Sequence, residues 1–177
     1  MRLKKNKYLK ITCDGGAATG KSTGAKLIAK KLNISFLSSG LLYRYASYLI
    51  LKHNPKKEVN FLKKKFENLN YKKLNKINLH TPEISYQSAI IAKKLKIRNI
   101  LKNYQKKFIK IHKSCVLEGR DASTKILPNS DVKFFFKCSI NIAAKRRFME
   151  LKKKHKNIKL IAVKKAWKLK KKIDKKK

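Results

Sequence analysis

The stretch "CDGGAATGKST", residues 13–23, limits what this chain can become more than any other. Gly15 and Gly20 frame four residues, and Lys21 and Ser22 follow at once. Gly-x4-Gly-Lys-Ser is the spacing of a loop that wraps a phosphate chain. The composition has a physical reason. Backbone N–H groups can close on phosphate oxygens only where side chains are small or absent, and glycine supplies the backbone angles of the tight turn. A helix that begins near Lys21 aims the positive end of its dipole at the anion. In such a loop Lys21 reaches the β- and γ-phosphates of a nucleotide, and the Ser22 hydroxyl holds Mg²⁺.

The flanks supply the context this loop requires. "YLKITC" reads as a strand that runs directly into the glycines. After them, Ala25, Ile28, Ala29 and Leu32 recur on one helical face. "ISFLSSG" predicts a short strand ending in a turn, and "LLYRYASYLIL" a helix capped by Ser38 or Ser39. Residues 52–80 predict only short helix and loop. Thr81-Pro82-Glu83 is a helix start: a cap, Pro at the first helical position, and an acid in the first turn. Ile97, Ile100, Leu101, Tyr104, Phe108 and Ile111 mark a further helix. "CVLEG" and "VKFFF" have the look of buried parallel strands, and lysine-rich helices are expected over residues 140–172. Strands alternating with helices predict an α/β fold layered around a parallel sheet. No internal repeat or linker divides the 177 residues.

Charge is the other extreme feature. Forty-nine basic residues face nine acidic ones, a formal net of +40. Such a surface attracts anionic partners, yet charge alone says little about function. A lysine bias spread over solvated faces is the expected reading, with no specific nucleic-acid partner. Cys13, Cys115 and Cys138 stand far apart, without a CxxC pair, which fits buried thiols in a reducing, cytoplasmic compartment. His53, His80, His112 and His155 show no ligand spacing, and no apolar run approaches the ~18 residues of a membrane span.

Six of the 49 cations are arginine: Arg2, Arg44, Arg98, Arg120, Arg146 and Arg147. A guanidinium offers phosphate or a base edge a planar fork that lysine lacks. Arg44 follows a strand-turn, and Arg120 stands between Gly119 and Asp121 at the end of a strand. Ligands of open α/β sheets bind at such carboxyl ends.

Four stretches in this order, "DGGAATGKST", "SSGLLYR", "TPEIS" with Arg98 downstream, and "LEGRDAST" followed by "LPNSDVKFFF", resemble the cytidylate kinases, within the P-loop nucleoside monophosphate kinase group. The phosphate loop is shared by many kinases; the other three together are far more specific. The resemblance runs from about residue 8 to 151. It implies a three-layer P-loop kinase fold, a central parallel sheet flanked by helices. It also implies one domain over 1–177, with an acceptor-binding helical insert at about 52–112 and a lid at about 140–177.

The resemblance further implies ATP as donor, Mg²⁺ as cofactor, CMP or dCMP as acceptor, and a monomeric enzyme. Gly15, Gly16, Ala17, Ala18, Thr19, Gly20, Lys21, Ser22 and Thr23 would cradle ATP. Ser39 and Arg44 would hold the monophosphate, and Arg98 would read the pyrimidine. Arg120 and Asp121 would stand beside the acceptor phosphate, and Glu118 would orient Mg²⁺-bound water. Arg146 and Arg147, on the lid, would join Lys21, Arg120 and Asp121 around the transferring phosphoryl group.

The chain departs from that family in two places. A serine expected nine residues before Arg98 is Ala89, with Ser88 beside it and Ser85 one turn back. The R-D-x-x-D-x-x-R lid motif is altered: with Asp174 as its second acid, lysines at 170, 171 and 177 fill the other positions. A final strand is expected to be missing, which would leave "VKFFF" as a bare sheet edge. Two other functions stay open on the sequence. One is a P-loop kinase for UMP, AMP or shikimate; the other is a basic nucleic-acid-binding protein with a relict P-loop.

Overall fold

The computed structural model describes residues 8–152. Its centre is a four-stranded, all-parallel sheet of β1 (Lys10–Gly15), β2 (Ser35–Ser38), β3 (Cys115–Gly119) and β4 (Val132–Phe136), in the order β2-β3-β1-β4. Around it lie α1 (Lys21–Lys31), α2 (Ser39–His53), α3 (Glu58–Glu67), α4 (Pro82–Ile91), α5 (Leu95–Ile111) and α6 (Ile140–Lys152). A 3-10 turn over Tyr71–Lys76 precedes α4, and a π turn over Ala122–Ile126 follows β3.

Alternation along the central strands sorts the core into two layers, because successive strand side chains point to opposite faces. Ile11 and Cys13 of β1 and Val116 of β3 pack with Ala25 and Ala29 of α1. Leu37, Cys115 and Leu117 face the other way, into a larger core with α2, α3, α4 and α5. All five residues of β3 are buried, as expected for a strand covered on both faces. The α/β layering expected from the sequence is therefore present.

Capping chemistry explains where two helices begin. Ser38, in an extended conformation, accepts a hydrogen bond from Leu41 N–H and starts α2. Thr81 does the same for Ile84 N–H, with Pro82 opening α4. A cap of this kind is worth about 1 kcal/mol.

The structure corrects several details. β2 runs straight into α2 at Ser39, without a separate turn, because Ser38 ends the strand and caps the helix at once. Leu32 closes α1 as its C-cap and is exposed rather than core, as is Ile111 at the end of α5; Gln105 and Ile109 fill the buried face instead. Cys13 and Cys115 are buried, but Cys138 is only half-buried. The largest difference concerns "VKFFF". It is a parallel strand, paired with β1 from Ile11↔Val132 to Gly15↔Phe136, but not a buried one. β4 is one of the two sheet edges among the described residues, β2 being the other, and Phe134 and Phe135 are 42% and 64% exposed. The altered lid motif and the expected loss of a last strand concern residues outside the described ones.

Candidate active site

The phosphate loop leaves the end of β1 and enters α1 at Lys21. Gly20, the residue before the helix, has φ 88°, a left-handed conformation that glycine adopts without strain. Gly15 answers to a second constraint that its spacing does not reveal. A Cβ there would collide with the backbone carbonyl of Phe136, the partner of Gly15 across the β1–β4 ladder. The glycine thus lets β4 close against the loop. Gly24, one turn into α1, is covered in the same way by the Phe136 ring, 2.6 Å from where a Cβ would stand.

Lys21 carries the main electrostatic feature. Its Nζ lies 2.5 Å from Oε1 of Glu118, on the adjacent strand β3, with Glu118 2% exposed. A carboxylate so deeply buried needs full pairing, and its second oxygen, Oε2, accepts from the Ser38 hydroxyl at 2.5 Å. The end of β2 thereby joins the site through Ser38, whose backbone N–H donates to the Tyr71 hydroxyl at 2.8 Å. Tyr71 is itself buried enough that its phenol is pushed up to about 12.

The other buried acid, Asp14, lies on β1 just before the phosphate loop. Its carboxylate accepts from the backbone N–H groups of Ala122 and Ser123, at 2.9 and 2.7 Å, and from the Ser123 hydroxyl at 2.5 Å. It holds the start of the π turn after "GRD", more than a hundred residues along the chain. Gly119 of that motif leaves room for Ser39: a Cβ would stand 2.9 Å from its hydroxyl.

The residues expected at the acceptor form a second group. Arg98 donates to Asp121 at 2.9 Å and to the Ala92 carbonyl at 3.3 Å, with both members of the ion pair about one-third exposed. Arg44 donates to the Ser85 hydroxyl at 2.8 Å and to the Leu79 carbonyl at 3.0 Å, tying α2 to the start of α4. The Ser85 proton goes to the Thr81 carbonyl and that of Ser88 to the Ser85 carbonyl. Neither serine presents a hydroxyl donor to a base here, and Ala89 has none. Arg120 follows β3 and is exposed.

Arg146 of α6 reaches back across the phosphate loop. Its guanidinium donates to the Ala18 carbonyl at 3.4 Å and covers Gly20. An open cleft of about 810 Å³ lies between them, lined by Ala18, Thr19, Gly20, Thr23, Phe136, Arg146 and Met149. Arg147 lies on α6, and its side chain is outside the described ones.

The donors suit Mg²⁺ bound mainly through substrate. Ser22 places a hydroxyl oxygen at the first turn of α1, and Glu118 supplies a carboxylate on the neighbouring strand. No group of three or more His, Cys, Asp or Glu side chains forms a cage among the described residues. Mg²⁺ typically takes one or two protein oxygens and completes its shell with phosphates and water. With both Glu118 oxygens engaged, that carboxylate fits as an outer partner of the ion.

The loop, the arginines and the acids singled out in the sequence thus stand at these positions. Tyr71, which no sequence signal singled out, and Ser38, expected only as a helix cap, join them through Glu118. No spacing rule connects them to Glu118; only the fold does.

The comparisons agree with this geometry. A family model described as cytidylate kinase matches residues 11–177. The chain is 37% identical to a cytidylate kinase of Thermosipho melanesiensis, an alignment covering 82% of this chain and 70% of that protein. It is 34% identical to one of Alkaliphilus oremlandii, covering 83% and 72%, and 36% identical to one of Mycoplasmopsis synoviae, covering 83% and 71%. With a phosphate loop at the end of β1, a buried acid beside its lysine and this match along the chain, the protein belongs to the cytidylate kinase family and is a kinase of that family.

Proposed function

We propose that the chain transfers the γ-phosphoryl group of ATP directly to CMP or dCMP, giving ADP and CDP or dCDP. Residues 1–177 act as one kinase domain, with 52–112 holding the acceptor and 140–177 serving as the lid. The observation that carries this is the Lys21–Glu118 pair, a phosphate-loop lysine held at the mouth of its loop by an acid on the next strand.

Residues 15–23 bind the donor phosphates through backbone N–H groups and the α1 dipole. Lys21 leaves Glu118 for the β- and γ-phosphates. Mg²⁺, held by Ser22 with Glu118 as outer partner, would supply charge neutralisation at the phosphates. Ser39 and Arg44 grip the acceptor phosphate, Arg120 and Asp121 stand beside it, and Arg98 meets the pyrimidine. An acceptor phosphate oxygen then attacks the γ-phosphorus in line with the leaving ADP oxygen, with no covalent enzyme intermediate. Lys21, Arg120, Arg146 and Arg147 offset the charge of the transferring group. α6 places Arg146 at the loop, and closure of that segment excludes water that would otherwise hydrolyse ATP.

We read it as a monomeric cytoplasmic enzyme acting on free nucleotides. Two buried thiols fit a reducing compartment, and no described helix is long and apolar enough to cross a membrane. The test is ADP formation with Mg²⁺-ATP and, separately, CMP, dCMP, UMP and AMP. Turnover led by CMP and dCMP is expected. Turnover led by UMP or AMP would overturn the acceptor assignment.

A further inference from the structure

Four groups from four separate elements of the chain form one hydrogen-bonded line. Tyr71 lies in the 3-10 turn of the helical segment between α2 and β3. Its hydroxyl accepts from Ser38 N–H; the Ser38 hydroxyl donates to Glu118 Oε2; Glu118 Oε1 pairs with Lys21 Nζ. Each link is 2.5–2.8 Å long, and Glu118 is almost wholly buried. The Tyr71 ring is fixed independently, edge-on to Phe108 of α5 at 6.3 Å between centroids.

The geometry points to Tyr71 and Ser38 as positioning residues that set how readily Lys21 can leave Glu118 for a nucleotide phosphate. This rests on the proposed ATP site and goes beyond it. The sign follows from charge balance. Lys21 holds one carboxylate oxygen and Ser38 the other. When Lys21 departs, the Ser38 hydrogen bond is what remains to stabilise a buried anion. Without it, release of Lys21 leaves Glu118 unpaired, so nucleotide binding must overcome a larger penalty. Tyr71 acts one step back. By accepting from Ser38 N–H it holds the strand end from which the Ser38 hydroxyl is aimed.

The test is calorimetric titration of the full chain with MgADP, alongside its thermal midpoint. Ser38→Ala and Tyr71→Phe should each raise Kd at least three-fold. In the double variant the loss should match the larger single loss rather than the product, because both act on one carboxylate. Leu49→Ala is the control. Leu49, late in α2, is 4% exposed in the same larger core and is none of the four groups, so its loss should lower the midpoint and leave Kd unchanged. A purely structural role for Tyr71 would show that same pattern. An unchanged Kd in Tyr71→Phe, or losses that multiply in the double variant, would overturn the inference while the kinase assignment stands. Absence of MgADP binding by the unmodified chain would overturn both.

Discussion

β3 and β4 flank β1 on opposite sides, both parallel to it, and their sequences look alike: "CVLEG" and "VKFFF". Their environments are opposite. β3 is buried along its whole length and ends in the acid that pairs with Lys21. β4 exposes its two middle phenylalanines to solvent, and only Val132 and Phe136 pack against the α1-side core. The more hydrophobic strand is the more exposed one. A strand's burial is decided by what covers its faces, and a central strand has helices on both. The difference also separates function from scaffold. The central strand carries the charge chemistry, while the edge strand serves the site through one residue, Phe136, which closes on Gly15 and Gly24.

This contrast can be broken by substitutions of graded effect. Glu118→Gln, at the end of β3, leaves Lys21 without its counter-charge; removing one partner of a buried pair costs about 3 to 5 kcal/mol. Urea unfolding of the nucleotide-free protein should show that loss. Leu117→Ala deletes a side chain that is 1% exposed in the larger core, and about 3 kcal/mol should be lost in the same experiment.

The central strands should also show a pH signature. Burial pushes the thiols of Cys115 on β3 and Cys13 on β1 from 9.0 to about 11, with Glu118 and Asp14 adding to the shift at Cys13. The folded state therefore holds these protons more tightly than the unfolded chain. Their stabilisation is complete below pH 9.0 and is lost as pH rises through about 11. Each thiol should account for about 2 kcal/mol of lost stability by the upper end of that range. A Cys13→Ala/Cys115→Ala variant should show a shallower decline between those limits. Smallest of all, Phe135→Lys on β4 should change stability by less than about 0.5 kcal/mol and reduce aggregation, since it adds a charge to an exposed edge. A Phe135 effect as large as that of Leu117 would erase the distinction between the strands.

Much of this architecture was legible from local signals. The glycine spacing marked the end of β1 and the start of α1, and Thr81-Pro82 marked α4. What escaped is long-range. The apolar composition of "VKFFF" suggested a buried strand, and only the expected absence of an outer strand pointed to the exposed edge where Phe134 and Phe135 stand. Asp14 adjoins the loop in sequence, yet it holds Ala122 and Ser123, more than a hundred residues along the chain. Tyr71 sat in the least readable segment, rich in lysine and asparagine, and only folding brings its hydroxyl to Ser38. Ile111 does close α5, as the helix pattern implied, but it stands past the core, whose last buried side chain on that helix is Ile109.

The measurement that tests the account most directly is CMP-dependent ADP formation by the chain and by Lys21→Ala, with circular dichroism confirming that both are folded. The account predicts CMP-dependent turnover in the first. It predicts a loss of at least about 100-fold in the second, the scale expected when a group that stabilises transition-state charge is removed. Equal turnover in a folded Lys21→Ala protein would contradict it, because phosphoryl transfer would then not run through the loop at residues 15–23.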